Sequence, residues 1–248
     1  MKKIVLTSAC FCLLSACASA QIDLNKVKTK VKTSKVLENK GGTGLTEAEI
    51  IQGLKEALTK GSTNASAVLN KQDGYNLNPK IRIPFPEDAQ KVAKTLRDMG
   101  YGKKVDEFEL TLNRSAEQAA KEAAPIFKSA VTNMSFKDAK SILTGSDSAA
   151  TVYLKNTTYD SLFTKFSPPI KKALDNTSAT SKWTELATIY NKIPLNKHKV
   201  ETDLVAYTTN KALKGLFITV AEEELKIRKD PMARTSDILK KVFGQQNK

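Results

Sequence analysis

Apolar residues recur at intervals of three and four along most of this chain, a period that predicts helices. Ile50, Ile51, Leu54 and Leu58 follow Thr46-Glu47-Ala48-Glu49, a pattern in which hydroxyl and carboxylate cap each other's backbone N–H. Gly61 is expected to punctuate this helix, with residues 65–69 adding a further turn or two before Asp73-Gly74 breaks the chain. Ile81-Arg82-Ile83-Pro84-Phe85-Pro86 alternates apolar and polar positions between prolines, so it reads as extended, at most a short edge strand near 80–85. Pro86-Glu87-Asp88 then opens a helix through Val92, Leu96 and Met99 that ends at Gly100.

The longest periodic stretch runs from Lys103 to about Asn133 through Val105, Phe108, Leu112, Ala116, Ala119, Ala123 and Ile126. Its alanine-rich middle allows close approach by neighbours, which suits a central helix, and Pro125 is expected to kink it or restart it near Ala124. Ser135-Phe136-Lys137-Asp138 caps another helix ending near Gly145, and Asp147 or Ser148 begins the segment carrying Tyr153 and Leu154. Pro168-Pro169 is expected to open a helix through Ile170 and Leu174, and a further helix carries Trp183, Leu186 and Tyr190 up to Pro194. Asp203 caps a helix in which Leu213, Leu216, Phe217, Val220 and Leu225 make a nearly all-round apolar surface. After Asp230-Pro231, Thr235 caps a last helix with Ile238, Leu239, Val242 and Phe243, ending at Gly244. No repeat of fixed period is present. The fold class is therefore all-α: one multi-helix, bundle-like domain over residues 46–248 with a long central alanine-rich helix.

Residues 1–20 have a different pattern. Lys2 and Lys3 precede an uncharged, largely apolar stretch over 4–14, and small residues follow at Ser15, Ala16, Ala18, Ser19 and Ala20. That is the form of a secretory signal peptide, and as a helix residues 4–16 would cover only about 20 Å of a roughly 30 Å hydrocarbon core. Leu14-Ser15-Ala16-Cys17 has the form of a lipobox, in which the Cys17 thiolate takes up the diacylglycerol; Ala18-Ser19-Ala20 offers a second site, before Gln21. The first alternative makes Cys17 a lipid anchor, and with more than one acyl chain such an anchor holds stably.

Residues 21–45 read as a flexible basic tether. They hold six lysines (Lys26, Lys28, Lys30, Lys32, Lys35 and Lys40) against Asp23 and Glu38, have no aromatic residue, and run through Gly41-Gly42-Thr43-Gly44. As a coil from Cys17 to Leu45 it would span on the order of 30 Å. Beside a lipid anchor its lysines would favour an anionic leaflet, each by about 1 kcal/mol.

The formal charge of +14 falls only to +12 once Lys2 and Lys3 are removed, so the remainder stays strongly basic. Such a field favours anionic partners, including phospholipid headgroups, lipopolysaccharide, acidic glycans and nucleic acid. Nucleic acid is disfavoured, because no binding motif is recognisable, aromatic residues are few, and export removes the chromosome. All three cysteines, Cys10, Cys12 and Cys17, lie in the leader, so no disulfide framework holds the domain.

Chemical motifs are sparse. The single histidine, His198, sits among Lys197, Lys199 and Pro194 in a polar stretch and reads as a surface residue. Cys/His zinc sites are excluded by count, and the sequence has no H-E-x-x-H, phosphate-binding glycine loop or EF-hand calcium loop. No cofactor, metal site or catalytic residue is therefore assigned. Carboxylate chemistry is the remaining catalytic option.

The polar residues that stand out interrupt apolar helices. Asn113, Arg114 and Glu117 break the alanine-rich stretch, with Arg114 and Glu117 three apart on one face. Glu222, Glu223 and Glu224 precede Arg228, with Glu224 and Arg228 a favourable i,i+4 pair, and Arg234 stands just before the last helix. Two readings follow: a structural polar network locking the bundle, or an anion site in which Arg114, Arg228 and Arg234 converge with Glu117 and Glu223 orienting them.

Several segments together carry a resemblance. They are Gly53-Leu54-Lys55-Glu56-Ala57-Leu58, Ile83-Pro84-Phe85-Pro86-Glu87, Leu112-Asn113-Arg114-Ser115-Ala116-Glu117, Ile142-Leu143-Thr144-Gly145 with Ala149-Ala150-Thr151, Ala212-Leu213-Lys214-Gly215-Leu216-Phe217, Ala221-Glu222-Glu223-Glu224, and residues 234–243. Over residues 45–244 the chain resembles the bacterial family DUF4197; Ser115 stands where alanine is more typical. The resemblance implies an exported, mainly helical protein, often with a lipoprotein-type leader, and carries no activity with it. The expectation is a lipid-anchored envelope protein, in the outer membrane facing the periplasm or otherwise soluble in the periplasm. It would be a non-enzymatic binding or accessory module for an anionic envelope component or a partner protein. The alternative is a carboxylate-dependent hydrolase of envelope glycan or lipid.

Overall fold

Eight α-helices account for most of the residues that the computed structural model describes, which are 44–86, 89–181, 183, 184, 188 and 203–244. They are α1 (Glu47–Leu69), α2 (Gln90–Leu96), α3 (Gly102–Ala120), α4 (Ala123–Thr132), α5 (Phe136–Thr144), α6 (Ala149–Asn176), α7 (Leu204–Lys229) and α8 (Asp237–Gly244). A π turn, Arg97–Tyr101, joins α2 to α3, and a 3₁₀ turn, Pro231–Ala233, precedes α8. No strand occurs among the described residues, and the all-α expectation holds. The leader with Cys17, the tether through residue 43, Glu87, Asp88, Leu186, Tyr190, Pro194 and His198 lie outside the described residues.

The helices begin where short polar side chains can satisfy their first N–H groups. Thr46 and Glu49 form the predicted capping box on α1, and Ser135 and Asp138 form one on α5. Asp203 accepts from the backbone of Ala206 to cap α7. The last helix is capped one residue later than its pattern suggests: Ser236 accepts from the Leu239 N–H, while the Thr235 hydroxyl takes a bond from Lys60 Nζ at 2.7 Å.

The helices α6 and α7 form the centre. They pack on each other and both on α3, while α1 packs on α7, α4, α8 and α5. The alanine-rich stretch is buried as expected: Ala116, Ala119, Ala120 and Ala123 have no exposed surface. It is broken into α3 and α4 at Lys121-Glu122, which places Pro125 in the first turn of α4, where its missing N–H has no intrahelical partner to lose. Ser66 of α1 donates to the freed Ala120 carbonyl at 2.7 Å.

Three expectations change. Gly61 does not punctuate α1, which runs unbroken through residue 69; it is buried in the helix opposite Glu223 and Ile227 of α7. Pro168-Pro169 does not open a helix but lies inside α6. The carbonyls left unpaired belong to the exposed Thr164 and Lys165, where water can replace the lost bonds. Two interior prolines cost about 3 kcal/mol each, against burial of Leu162, Phe166, Ile170 and Leu174 at roughly 1.5–3 kcal/mol each, so the long helix wins. Leu225 is exposed, so α7 is not apolar all round. Residues 82–84 pair in no sheet, which agrees with the expectation of at most a short edge strand; the Ile83 backbone bonds to the Asn113 side chain of α3 instead.

Candidate functional site

One face of α3 reads the backbone of the long α1–α2 connection. Glu109, Asn113 and Glu117 are spaced four apart, which stacks them along that face. Asn113 accepts from the Ile83 N–H at 2.8 Å and donates to the Ile83 carbonyl at 2.9 Å, the pairing a neighbouring strand would supply. Glu109 accepts from the Phe85 N–H at 3.1 Å and from Arg82 at 2.9 Å. Glu117 accepts from the Tyr75 and Asn76 N–H groups, both at 3.2 Å.

Around Glu117 the turn is tight. Asp73 adopts a positive φ of 66°, and a side chain on Gly74 would meet the Val68 carbonyl at 2.6 Å. Arg114 bridges the turn to the helix, donating to Glu117 at 2.7 Å and to Asp73 at 2.8 Å. The Asn76 amide, and after it Arg114, hold the Asp73 carboxyl below its usual range. Tyr75 is fully buried with its phenol donating to the Ala212 carbonyl at 2.8 Å; burial and then the Glu117 charge push that phenol up.

A second cluster lies where three helix ends meet. Ser148 supplies no side-chain cap to α6, and Glu224 of α7 does so instead. It accepts from the Ala150 N–H at 3.0 Å, the Thr151 N–H at 2.8 Å and the Thr151 hydroxyl at 2.7 Å. Arg228 pairs with Glu224 at 2.9 Å and donates to the Ile142 carbonyl at the end of α5. Arg234 closes the end of α7 by donating to the carbonyls of Ile227 and Arg228 at 2.9 and 2.7 Å. The charges thus fall where helix dipoles favour them, carboxylate at an N-terminus and guanidinium at two C-termini.

The two clusters do not converge. Gly215 of α7 sits against Tyr75, level with Glu117, and Arg228 follows some 20 Å further along that helix. Arg114 therefore shares no point with Arg228 and Arg234, which the structure brings together with each other. Glu223 lies at the α1–α7 seam with its side chain 14% exposed, bonded to Lys226 and to the Asn64 amide at 3.2 Å. It stands roughly 12 Å along α7 from the level of Glu117, and both carboxylates are engaged by cations. Glu109 and Thr151 were not singled out from sequence; the four-residue spacing of Glu109, Asn113 and Glu117 was the signal available for the first.

Arg114 has a second neighbourhood. Its side chain is 31% exposed at the edge of a groove of about 620 Å³ between α3 and α6. Lys121 at the end of α3 and Lys172 on α6 complete the rim, and Asn70, Gln118 and Asn176 add amides. Leu110, Pro169 and Ala173 provide apolar wall, and among the described residues no carboxylate lines the groove. Two Arg114 hydrogen bonds go to carboxylates behind it, which fixes the fork and leaves further N–H donors of its five. A larger open groove of about 950 Å³ between α4 and α6 differs in kind. Its Thr157, Thr158 and Thr164 hydroxyls are bonded to carbonyls of their own helix, and Glu122 and Asp160 oppose Lys165.

Among the described residues no group of three or more His, Cys, Asp or Glu side chains is placed to hold a metal, and no helix is long and apolar enough to cross a membrane. Fold and site define an all-helical domain whose buried charges cap helices from neighbouring elements and whose arginine-edged groove carries Lys121 and Lys172 on its rim. The chain belongs to the DUF4197 family, described as proteins of unknown function, whose family model matches residues 44–244. No match is found among curated proteins or among solved structures.

Proposed function

We propose that this protein is an exported, lipid-anchored envelope protein whose helical domain binds an anionic envelope component in the α3–α6 groove, without catalysing its conversion. The observation that carries the binding is the groove rim: Arg114, Lys121 and Lys172 edge one open cleft with no carboxylate among the described residues that line it. Anions bearing hydroxyl or amide groups suit it, because the amides of Asn70, Gln118 and Asn176 can take neutral hydrogen bonds while the cations take the charge. The leader supports the address, with Cys17 as the acylated residue and the lysines of residues 21–45 beside the leaflet.

The groove is tested by NMR titration of the mature chain with inorganic phosphate, glycerol phosphate and a uronic-acid oligosaccharide. Shifts confined to backbone amides of residues 110–121 and 169–177, and lost in Lys121→Glu/Lys172→Glu, are the expected result. Shifts scattered over exposed lysines elsewhere, or none with any probe, would overturn the assignment.

A further inference from the structure

We infer that the helical turn between α2 and α3 is a second contact surface, one that docks on an anionic lipid leaflet. It rests on the envelope reading above for the presence of that leaflet, but on none of the groove residues. Ala93 and Val105 are buried and hold α2 against α3, while the connection Arg97–Tyr101 contains no buried residue. At its apex Gly100 takes a positive φ of 88°, and the residues flanking it are large and exposed: Met99 at 65% and Tyr101 at 47%. Lys104 places its ammonium 5.7 Å from the centre of the Tyr101 ring.

Charge around the apex is arranged in the same sense. Lys94, Lys103 and Lys104 are exposed beside it, against exposed Asp98 and Glu107, while Arg97 is paired with Asp106 at 2.6 Å. A flexible thioether and an amphipathic ring set among lysines fit the boundary between headgroups and acyl chains. Each lysine at an anionic leaflet adds about a fivefold gain in binding, so the surplus at this turn is weak alone. Held by a lipid anchor through a tether of about 28 residues, the domain meets the leaflet at roughly millimolar effective concentration, where weak docking suffices.

The test uses the full mature chain, which has lost Cys10 and Cys12 with the leader, with Met99→Cys carrying a polarity-sensitive fluorophore and Leu77→Cys as the reference. Leu77 is 73% exposed in the α1–α2 connection. On phosphatidylglycerol-containing vesicles the probe at 99 is expected to shift to the blue and the probe at 77 to stay unchanged, with no shift of either on phosphatidylcholine. Lys103→Glu/Lys104→Glu is expected to weaken the response at least about 25-fold in vesicle concentration. A probe at 99 as unresponsive as the one at 77, or equally responsive on both lipids, overturns the inference. Intact mass of the same preparation separates the two proposals: an acylated Cys17 with a silent turn refutes only the docking, whereas a responsive turn on a chain starting at Gln21 refutes only the anchor.

Discussion

Glu224→Gln asks whether the buried charges lock helices together. Glu224 and Arg228 have side chains only 7% and 6% exposed, and the two carboxylate oxygens take four donors. One oxygen serves the Ala150 N–H and Arg228 Nε; the other serves the Thr151 N–H and hydroxyl. An amide keeps the shape but must turn its NH₂ towards one of those pairs. Facing Thr151 is the better choice, because the hydroxyl can rotate to accept, yet the Thr151 N–H is then left without a partner. An unsatisfied buried donor costs about 1–3 kcal/mol, and loss of the charge opposite a buried guanidinium adds to it, within the 3–5 kcal/mol seen when a buried pair is broken. Urea unfolding followed by circular dichroism is therefore expected to show a loss of roughly 2–4 kcal/mol, with an unchanged slope. Glu223→Gln, one residue away, removes a carboxylate that is 14% exposed, but its Lys226 partner is 61% exposed and an amide oxygen can keep the Asn64 bond, so it should cost no more than about 1 kcal/mol. A loss below about 1 kcal/mol for Glu224→Gln, or equal losses at both positions, would refute the reasoning.

Gly215→Ala would set a methyl carbon 2.8 Å from the Tyr75 ring and 3.1 Å from Ile81, and the ring cannot yield because its phenol is tied to the Ala212 carbonyl; a loss of about 1–3 kcal/mol in urea unfolding is expected. Asn113→Leu should cost about 2–4 kcal/mol by the same assay, since it strips both partners from the Ile83 backbone, and hydrogen exchange at Ile83 should accelerate. Lys241 first, then Thr46, hold the Glu49 carboxyl down to about 2. A carboxyl lowered in the folded state stabilises above its unfolded value near 4.5 and loses that contribution as pH falls towards 2. The carboxyl-carbon NMR midpoint of Glu49 should therefore lie near 2 and rise in Lys241→Met.

Much of the helical layout was legible because its signals are local. Thr46-Glu49 and Ser135-Asp138 declare their caps within four residues, and the apolar period of residues 103–133 does not depend on what it packs against. What was not legible depends on partners distant in sequence. Pro168-Pro169 reads locally as a helix start, and only burial of Phe166, Ile170 and Leu174 against other helices carries α6 through them. The i,i+4 pair of Glu224 and Arg228 was visible, but not that Glu224 caps a helix 73 residues upstream. Likewise Arg114 and Glu117 were seen as neighbours, while Asp73, 41 residues away, became their third member only through folding. The three arginines looked alike in sequence; folding puts Arg114 of α3 at a groove edge and sets Arg228 and Arg234 on the ends of α5 and α7 as clamps.

Intact mass spectrometry of the protein purified from its native membrane tests the account most directly. The proposed lipid-anchored envelope protein predicts a chain beginning at Cys17 and carrying the added mass of diacylglycerol. A chain beginning at Gln21 without lipid, or one retaining residues 1–20, would contradict it.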